Sequence, residues 1–308
     1  MVIRQAAFQP GSRMLKGNLH CHTTLSDGQL TPAEAIHQYA QAGYEFLAIT
    51  DHNRYNFQNF APETGILILP GAELGRLMGD FNQKGHQAVH IVSLGQEENN
   101  GFSDGQEVIF KKGGDVCGCQ DILDTIASAN NISIFCHPEF SGNTIEEVAA
   151  LDGFSMIEVW NTGSVLNFSV NANTPHWDSL LDKGKRVYAV ASDDAHKLPE
   201  FCQSFLMVRA EKDVASILEA LQNGAFYAST GPEIYDFYIE DGKAVVHCSP
   251  AVEISFKSLR SPHFTTRGVD LTQAQTEVRP ATAYLRAEVV DKEGRRAWTN
   301  PIFFDETP

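Results

Sequence analysis

The sequence predicts a mixed α/β fold, built as a parallel sheet or β/α barrel with a small antiparallel β domain after it. From about residue 17 to residue 230, short apolar runs alternate with helix-like stretches, as in repeated β/α units. After about residue 233, apolar and polar residues alternate in the manner of half-buried strands. A length of 308 residues accommodates a barrel with such an appendage. We therefore predict two domains, residues 1–233 and residues 234–308.

The first predicted helix has the clearest start and stop signals. Thr31 and Glu34 have the spacing of a capping box, Pro32 occupies the first helical position, and Gly43 follows the last apolar turn. The apolar run 46–50 comes next and is typical of a buried parallel strand. The same order of helix and strand is predicted three more times, at 121–130 and 132–136, at 175–182 and 187–191, and at 213–222 and 225–228.

The second domain is predicted from alternating segments and one turn. Asp241-Gly242 is a strong signal for a two-residue hairpin. The predicted strands are 234–239, 244–248, 252–259 and 284–290. In the first domain, the polar, glycine-rich stretch 95–118 is either a surface excursion or a loop over the site.

Composition limits the classes of function. With 43% hydrophobic and 20% charged residues, the chain can bury a sizeable core. A formal net charge of −16 argues against a dedicated binder of long nucleic acid, because such proteins usually carry a basic face. Neither a membrane-spanning apolar run nor a secretory signal is recognisable. We expect a cytoplasmic protein that does not bind membranes.

Histidines and carboxylates recur at the ends of the predicted strands. In a β/α barrel these ends converge on one face, so the side chains are expected to lie together. Imidazole and carboxylate ligands suit Zn²⁺, Mn²⁺ or Fe²⁺. Nine such side chains exceed the roughly three to five that one such ion accepts, which indicates more than one metal. The candidate ligands are His20, His22, Asp27, His52, Glu73, His90, His137, Asp194 and His196.

Two of these assignments have close competitors. His90 lies in an apolar run and is preferred as a ligand, whereas His86 follows a polar segment and could instead contact the substrate. Asp194 has the Asp-x-His spacing and is preferred over Asp193, which could support the ligands. Arg54, His86 and Asn161 are the candidate substrate contacts. A surface salt bridge or a helix cap is an equally good interpretation of the first and the last.

Five motifs resemble those of the PHP (polymerase and histidinol phosphatase) superfamily over about residues 17–230. The motifs are His20-Cys21-His22, Ser26-Asp27-Gly28, Ile49-Thr50-Asp51-His52, Cys136-His137-Pro138 and Asp194-Ala195-His196. The resemblance implies a distorted seven-stranded, TIM-like β/α barrel with a trinuclear site for Mn, Zn or Fe ions.

The resemblance also implies how the ligands are shared. His20, His22, Glu73 and Asp194 would hold the first metal. Glu73 would bridge to a second metal, which His90 and His137 complete, and Asp27, His52 and His196 would hold the third. Some members have histidine where this chain has Asp27, and the carboxylate makes that site harder and favours Mn²⁺ over Zn²⁺.

The function implied first is that of a metal-dependent phosphoesterase. It would cleave a small phosphate monoester or a nucleotide (bis)phosphate with a metal-bridging hydroxide, and would need no catalytic residue besides the metal ligands. The runs Lys16–His20, Trp177-Asp178 and Tyr188–His196 are similar to a sub-branch with a C-terminal β domain that includes carbamate hydrolases. An amide or carbamate hydrolase on the same metals is therefore the alternative, and a non-catalytic metal module is the third possibility. A basic cavity rim would favour phosphoesters, and an apolar rim would favour amides or carbamates. The substrate, the physiological metal, the oligomeric state and the role of the β domain stay open.

Overall fold

The computed structural model describes residues 5–7, 13–78, 87–259, 261–279 and 282–304. In these ranges the helices are α1 Pro32–Gln41, α2 Gln120–Ser128, α3 Ile145–Ala150, α4 Thr162–Phe168, α5 Thr174–Asp182 and α6 Val214–Gln222. The strands are β1 Gln5–Ala6, β2 Met14–Asn18, β3 Phe46–Leu47, β4 Leu67–Ile68, β5 Gly71–Leu77, β6 Ala88–Leu94, β7 Ile132–Phe135, β8 Met156–Asn161, β9 Tyr188–Ser192, β10 Phe205–Arg209, β11 Phe226–Ser229, β12 Ile234–Glu240, β13 Lys243–Ser258, β14 Ser261–Glu277, β15 Tyr284–Val290, β16 Arg296–Thr299 and β17 Ile302–Phe303.

The predicted helices are confirmed, with small shifts at their ends. Helix α1 begins where its capping box predicts: the Thr31 side chain accepts from the Glu34 amide at 3.3 Å, and the Glu34 carboxylate accepts from the Thr31 amide at 2.8 Å. A cap of this kind stabilises a helix by about 1 kcal/mol. Helices α2, α5 and α6 occupy the other three predicted segments. Their local signals were sufficient, because caps and apolar periodicity act within a few residues.

The strands form two sheets, and the predicted closed barrel is not observed. One sheet has the order β1-β12-β13-β15-β16-β11-β10-β2-β3-β4, with β14 beside β13 and β17 beside β15. The other has the order β5-β6-β7-β8-β9. Isolated bridges, Cys21 with Ala195 and His52 with Glu73, link the two sheets near their strand ends. The architecture is therefore mixed α/β with barrel-like strand ends but no closed ladder.

The sheets are also less parallel than the sequence pattern suggests. Strands β2, β3 and β4 are parallel to one another, and so are β7, β8 and β9. Strands β5 and β6 are antiparallel. Fewer than a dozen residues separate them, which is too short for the crossover that a parallel pair needs.

The C-terminal strands form a β unit with its own apolar core. The Asp241-Gly242 turn has φ angles of 50° and 73°, as the predicted hairpin requires. The predicted strands 244–248 and 252–259 are parts of the single long strand β13. Strand β16 pairs with β11, so the sheet runs without interruption across the predicted boundary at residue 233.

Side chains of this β unit also fasten it to the N-terminal part. Arg286 is fully buried, and its guanidinium lies 2.6 Å from the carboxylate of Asp178 in α5. Asn300 accepts from the backbone amide of Ala189 in β9 at 2.8 Å and donates to the carbonyl of Phe226 in β11 at 3.1 Å. Within the described parts of the chain, no helix has both the length and the apolar character required to cross a membrane.

Candidate metal centre

The candidate ligands lie where parallel strands end. His20 and His22 follow β2, His137 follows β7, and Asp194 and His196 follow β9. Carboxyl ends of parallel strands meet at one edge of a sheet, which is why side chains distant in sequence converge. Asp194 and His137 have positive φ angles of 49° and 29°. Such angles are uncommon outside glycine, although Asp and His adopt them more readily than most residues, and they concentrate at functional sites.

Glu73 is the centre of the cluster. Its side chain is 1% exposed and lies at the start of β5, beside the ends of the other strands. Five histidine nitrogens surround its two oxygens, at 3.2 Å for His20, 3.4 Å for His22, 2.7 Å for His52, 3.0 Å for His90 and 3.2 Å for His137. The charges of these histidines hold the pKa of Glu73 well below its ordinary value, against burial, which raises it. The carboxylate is therefore ionised and available as a bridging ligand.

Two buried carboxylate oxygens in the cluster accept no hydrogen bond of good geometry from the described residues: Oε2 of Glu73 and Oδ1 of Asp194. Asp194 Oδ1 lies 3.0 Å from Nε2 of His22 and 3.3 Å from Nε2 of His20. The two Nε2 atoms are themselves 3.1 Å apart. Buried, ionised oxygens that lack a well-directed hydrogen bond are costly unless a cation satisfies them. This donor set fits a divalent metal.

A more exposed group lies on the outer side of the cluster. Asp27 lies 3.3 Å from Nε2 of His196 and 3.6 Å from Nε2 of His52. Hydrogen bonding to His196, and then to His52, holds the pKa of Asp27 below its ordinary value. Burial lowers the pKa of both histidines, but nearby carboxylates outweigh it and raise the pKa to about 10 for His52 and about 9 for His196. In the metal-free protein, protons thus occupy positions that a cation can take.

The cluster separates into overlapping sets with the spacing of metal ligands. In each set, one ligand atom per residue lies within 4.8 Å of the others. Four of the sets are His20, His22 and Glu73; His20, His137 and Asp194; His52, Glu73 and His90; and His22, Asp27, His52 and His196. A fifth is His20, Cys136 and Glu158. Together they contain all nine candidate ligands.

The geometry separates Asp194 from Asp193. The carboxylate of Asp193 points into the scaffold and accepts from the amides of Cys202 at 2.7 Å and Ser204 at 2.8 Å, and from the hydroxyl of Tyr39 at 3.0 Å. Complete burial raises its pKa to about 6, against the lowering effect of these hydrogen bonds. Asp193 supports the turn, whereas Asp194 faces the histidines. His86, the competitor of His90, lies outside the described residues.

Sequence reasoning missed Glu158, which supports the cluster from β8. Its side chain is 1% exposed. Oε1 lies 2.7 Å from Nδ1 of His20, and Oε2 accepts from the backbone amide of His137 at 2.9 Å. Ser192 also donates to this carboxylate. When the carboxylate accepts a hydrogen bond from Nδ1–H of His20, the lone pair on Nε2 is directed at the cluster. The signal in the sequence was a single acidic residue within an apolar strand.

Asn161 and Arg54, two of the candidate substrate contacts, do not line the cavity. Asn161 donates to Glu158 at 2.8 Å and to Asp194 at 3.0 Å, and its oxygen caps helix α4. Arg54 lies 3.7 Å from the carboxylate of Glu107 and does not line the cavity over the cluster. Asn161 therefore orients a candidate ligand, and Arg54 belongs to a surface pair.

A cavity of about 880 Å³ opens over the cluster. Glu73, His90 and His137 are among the candidate ligands on its floor. Its rim combines apolar and basic side chains: Ile109, Phe110, Phe140, Phe168, Lys112 and Lys197. Since the stretch 95–118 contributes part of this rim, it lies over the site. The rim is neither purely basic nor purely apolar.

Comparison with known proteins finds similarity in the first part of the chain. The PHP domain profile matches residues 18–108. A 5'-3' exoribonuclease of Haemophilus influenzae is 36% identical over 83 residues, which cover 26% of this chain and 28% of that protein. A phosphoribosyl 1,2-cyclic phosphate 1,2-diphosphodiesterase of Eggerthella lenta is 38% identical over 85 residues, covering 26% and 31%. The chain thus spans less than a third of the length of these curated relatives.

A solved structure extends the similarity to both parts of the chain. It is a two-domain protein of Bacteroides vulgatus that contains a predicted PHP-like metal-dependent phosphoesterase, with 14% identity and a TM-score of 0.51. The alignment covers 97% of this chain and 98% of that one, so the two-part architecture is shared. As the motifs in this segment predicted, residues 18–108 resemble the PHP domain.

Proposed function

We propose that the chain is a metal-dependent phosphoesterase for a small phosphate monoester or a nucleotide (bis)phosphate. One observation carries the proposal: nine histidine and carboxylate side chains converge beneath a cavity of about 880 Å³. The family supports a metal-dependent hydrolase. The cyclic phosphodiesterase and the exoribonuclease among the relatives both have phosphoester substrates, and we extend that bond type to this chain.

Three divalent ions, Mn, Zn or Fe, are part of the proposal. His20, His22, Glu73 and Asp194 would hold the first, Glu73 with His90 and His137 the second, and Asp27 with His52 and His196 the third. When bound, such ions polarise a phosphoryl oxygen and lower the pKa of water. The residues around them do the positioning: Glu158 orients His20, and Asn161 orients Asp194.

The rim favours a small anionic substrate. Lys112 is exposed at the cavity and forms no ion pair within the described residues, so its ammonium group is free to meet a phosphate. Lys197 lies 3.5 Å from Glu200 and contributes a second, partly neutralised cation. Two lysines cannot follow a long phosphate backbone, and the formal net charge of −16 opposes one. A single phosphate or a nucleotide matches this arrangement better.

Hydrolysis of an amide or carbamate is the second candidate, and the apolar part of the rim favours it. Ile109, Phe110, Phe140 and Phe168 all line the cavity. These side chains suit an uncharged substrate, whereas Lys112 suits an anionic one. A non-catalytic module is disfavoured because all nine candidate ligands lie together.

The test is an activity screen after metal reconstitution. Metal-stripped protein is loaded with Mn²⁺, Zn²⁺ or Fe²⁺ and assayed with phosphate monoesters, phosphodiesters, nucleotide bisphosphates, amides and carbamates, and bound metal is measured by mass spectrometry. His22→Ala is the test variant. His37→Ala is the matched control, because His37 is 46% exposed and pairs with Glu63 away from the cluster.

The outcomes of this screen distinguish the candidate functions. Phosphate release that requires both metal and His22, but not His37, supports the phosphoesterase. Turnover of amides or carbamates alone moves the assignment to the second candidate. About three bound ions per chain without any turnover favours the non-catalytic module. Absence of metal binding under all conditions contradicts the proposal.

A further inference from the structure

Three large apolar side chains at the mouth of the cavity are exposed to solvent. Ile109 is 78%, Phe168 58% and Phe140 40% exposed. All three line the cavity that contains the candidate metal ligands. Exposed apolar side chains that line one cavity are typical of a binding site. Packing of the core does not account for them, since they lie outside it.

Two of these side chains are fixed close to the metal cluster. The ring centroid of Phe140 lies 4.6 Å from that of Phe168 and 5.3 Å from that of His137. Phe140 belongs to the turn after His137, which is held by the bond from the Ser141 amide to the His137 carbonyl at 3.0 Å. The aromatic pair therefore has a defined distance from the cluster.

Phe168 and Ile109 reach the mouth of the cavity from two different segments. Phe168 is the last residue of α4, and Asn161, which donates to Asp194, caps the other end of that helix. Ile109 comes from the separate stretch 95–118. The mouth is thus lined from two sides: by Phe140 and Phe168 on one, and by Ile109 of the separate stretch on the other.

We propose that Phe140, Phe168 and Ile109 form a subsite for a planar, uncharged ring carried by the alcohol portion of the phosphoester. This inference rests on the proposed function. Aromatic side chains bind planar rings by offset or edge-to-face contact, which a puckered or flexible group does not reproduce. The free ammonium of Lys112 in the same cavity disfavours a cationic ring. A sugar phosphate without a ring system of this kind would leave all three side chains in water.

The first experiment measures binding without turnover. Benzylphosphonate, cyclohexylmethylphosphonate and methylphosphonate are titrated calorimetrically into the Mn²⁺-loaded protein. We expect benzylphosphonate to bind about tenfold more tightly than methylphosphonate, and more tightly than the puckered cyclohexyl compound. In the Phe140→Ala/Phe168→Ala variant the ratio of benzyl to methyl affinity should fall to near one.

Control variants separate aromatic recognition from general disruption. Phe60→Ala is the matched control, because Phe60 is also 40% exposed and does not line the cavity. Phe140→Leu/Phe168→Leu keeps an apolar mouth without rings and should lose the preference for benzyl over cyclohexylmethyl. In kinetic assays, kcat/KM for benzyl phosphate should likewise exceed kcat/KM for methyl phosphate.

The two proposals fail in different ways. Hydrolysis of phosphoesters with equal binding of all three phosphonates would overturn the subsite alone. A tenfold preference for benzylphosphonate without hydrolysis of any phosphoester would support the subsite and overturn the phosphoesterase. A double variant that changes self-association in ultracentrifugation but not the phosphonate ratio would also overturn the subsite, since the patch would then be an interface between copies.

Discussion

We predict that Glu158→Gln weakens metal binding while the protein stays folded. Glu158 is buried, and its two oxygens accept three hydrogen bonds. The donors are Nδ1 of His20 at 2.7 Å, the backbone amide of His137 at 2.9 Å and the side-chain amide of Asn161 at 2.8 Å. Glutamine has nearly the same shape, but one oxygen becomes an NH₂ group that cannot accept. Whichever way the new amide turns, at least one buried donor loses its partner.

The magnitude follows from the bond to His20. A hydrogen bond to a charged group contributes about 1.5–3 kcal/mol. Since about 1.4 kcal/mol corresponds to a factor of ten, this is roughly a 10- to 100-fold effect. The loss of a group that orients a metal-binding histidine typically weakens metal affinity by about 10- to 100-fold as well. We therefore expect the Kd for Mn²⁺ to rise by about that factor.

The assay is a titration of metal-stripped protein with Mn²⁺ in competition with a fluorescent chelator. Glu146→Gln is the control, because Glu146 is exposed at the start of α3. Urea unfolding of the metal-free proteins distinguishes weaker binding from lower stability. An unchanged Kd in a folded Glu158→Gln protein would refute the positioning role, and so would an equal loss in Glu146→Gln.

Three further predictions concern pH, metal preference and stability. Burial lowers the pKa of His52 and His196, but nearby carboxylates raise it to about 10 for His52 and about 9 for His196. The protonated histidines therefore stabilise the metal-free protein fully below pH about 6.5, the ordinary pKa of histidine. This stabilisation is lost as the pH rises through 9–10. The Tm of metal-free protein should therefore fall between pH 7 and 10, while that of metal-loaded protein should not; parallel curves would contradict this. Asp27→His should shift the outer group toward Zn²⁺ over Mn²⁺ by roughly tenfold in competitive binding, and an unchanged ratio would show that Asp27 contacts no metal. Arg286→Ala should lower the free energy of unfolding by about 3 kcal/mol in urea, because it removes a fully buried guanidinium that lies over the Trp177 ring and pairs with the buried carboxylate of Glu288. The exposed Lys292→Ala should have little effect.

Local signals made the helices and the strand ends predictable. Thr31 and Glu34 satisfy each other within one turn, so the start of α1 depends on no distant residue. The histidine after β7 follows an apolar run that is recognisable in the sequence. Strand pairing is different, because it depends on contacts between distant segments. The antiparallel pair β5–β6 and the open sheets therefore did not follow from the pattern of apolar runs.

Two functional features lacked an unambiguous signal. A single glutamate in an apolar strand, Glu158, is also compatible with a solvent-facing position at a strand end, and only the structure places it against His20. Ile109 lies with Val108 and Phe110 in a short apolar run within a polar, glycine-rich stretch, and such a run does not by itself indicate a position at a cavity. Its position at the cavity results from the path of the whole stretch. Both features depend on tertiary contacts that spacing alone does not encode.

The C-terminal β unit contributes none of the candidate ligands, yet it holds the strand that delivers two of them. Asn300 is 1% exposed, and its side chain satisfies the amide of Ala189 in β9 and the carbonyl of Phe226 in β11. Strand β9 ends at Ser192, two residues before Asp194 with its φ of 49°. A buried backbone amide without a partner costs about 1–3 kcal/mol, so this contact fixes the edge of β9. Asn300 thus links β9 of the five-stranded sheet to β11 of the large sheet, which continues into β16 of the β unit. The β unit therefore supports the strand that Asp194 and His196 follow. Its position in the fold therefore favours a supporting role for the metal centre over an independent binding function.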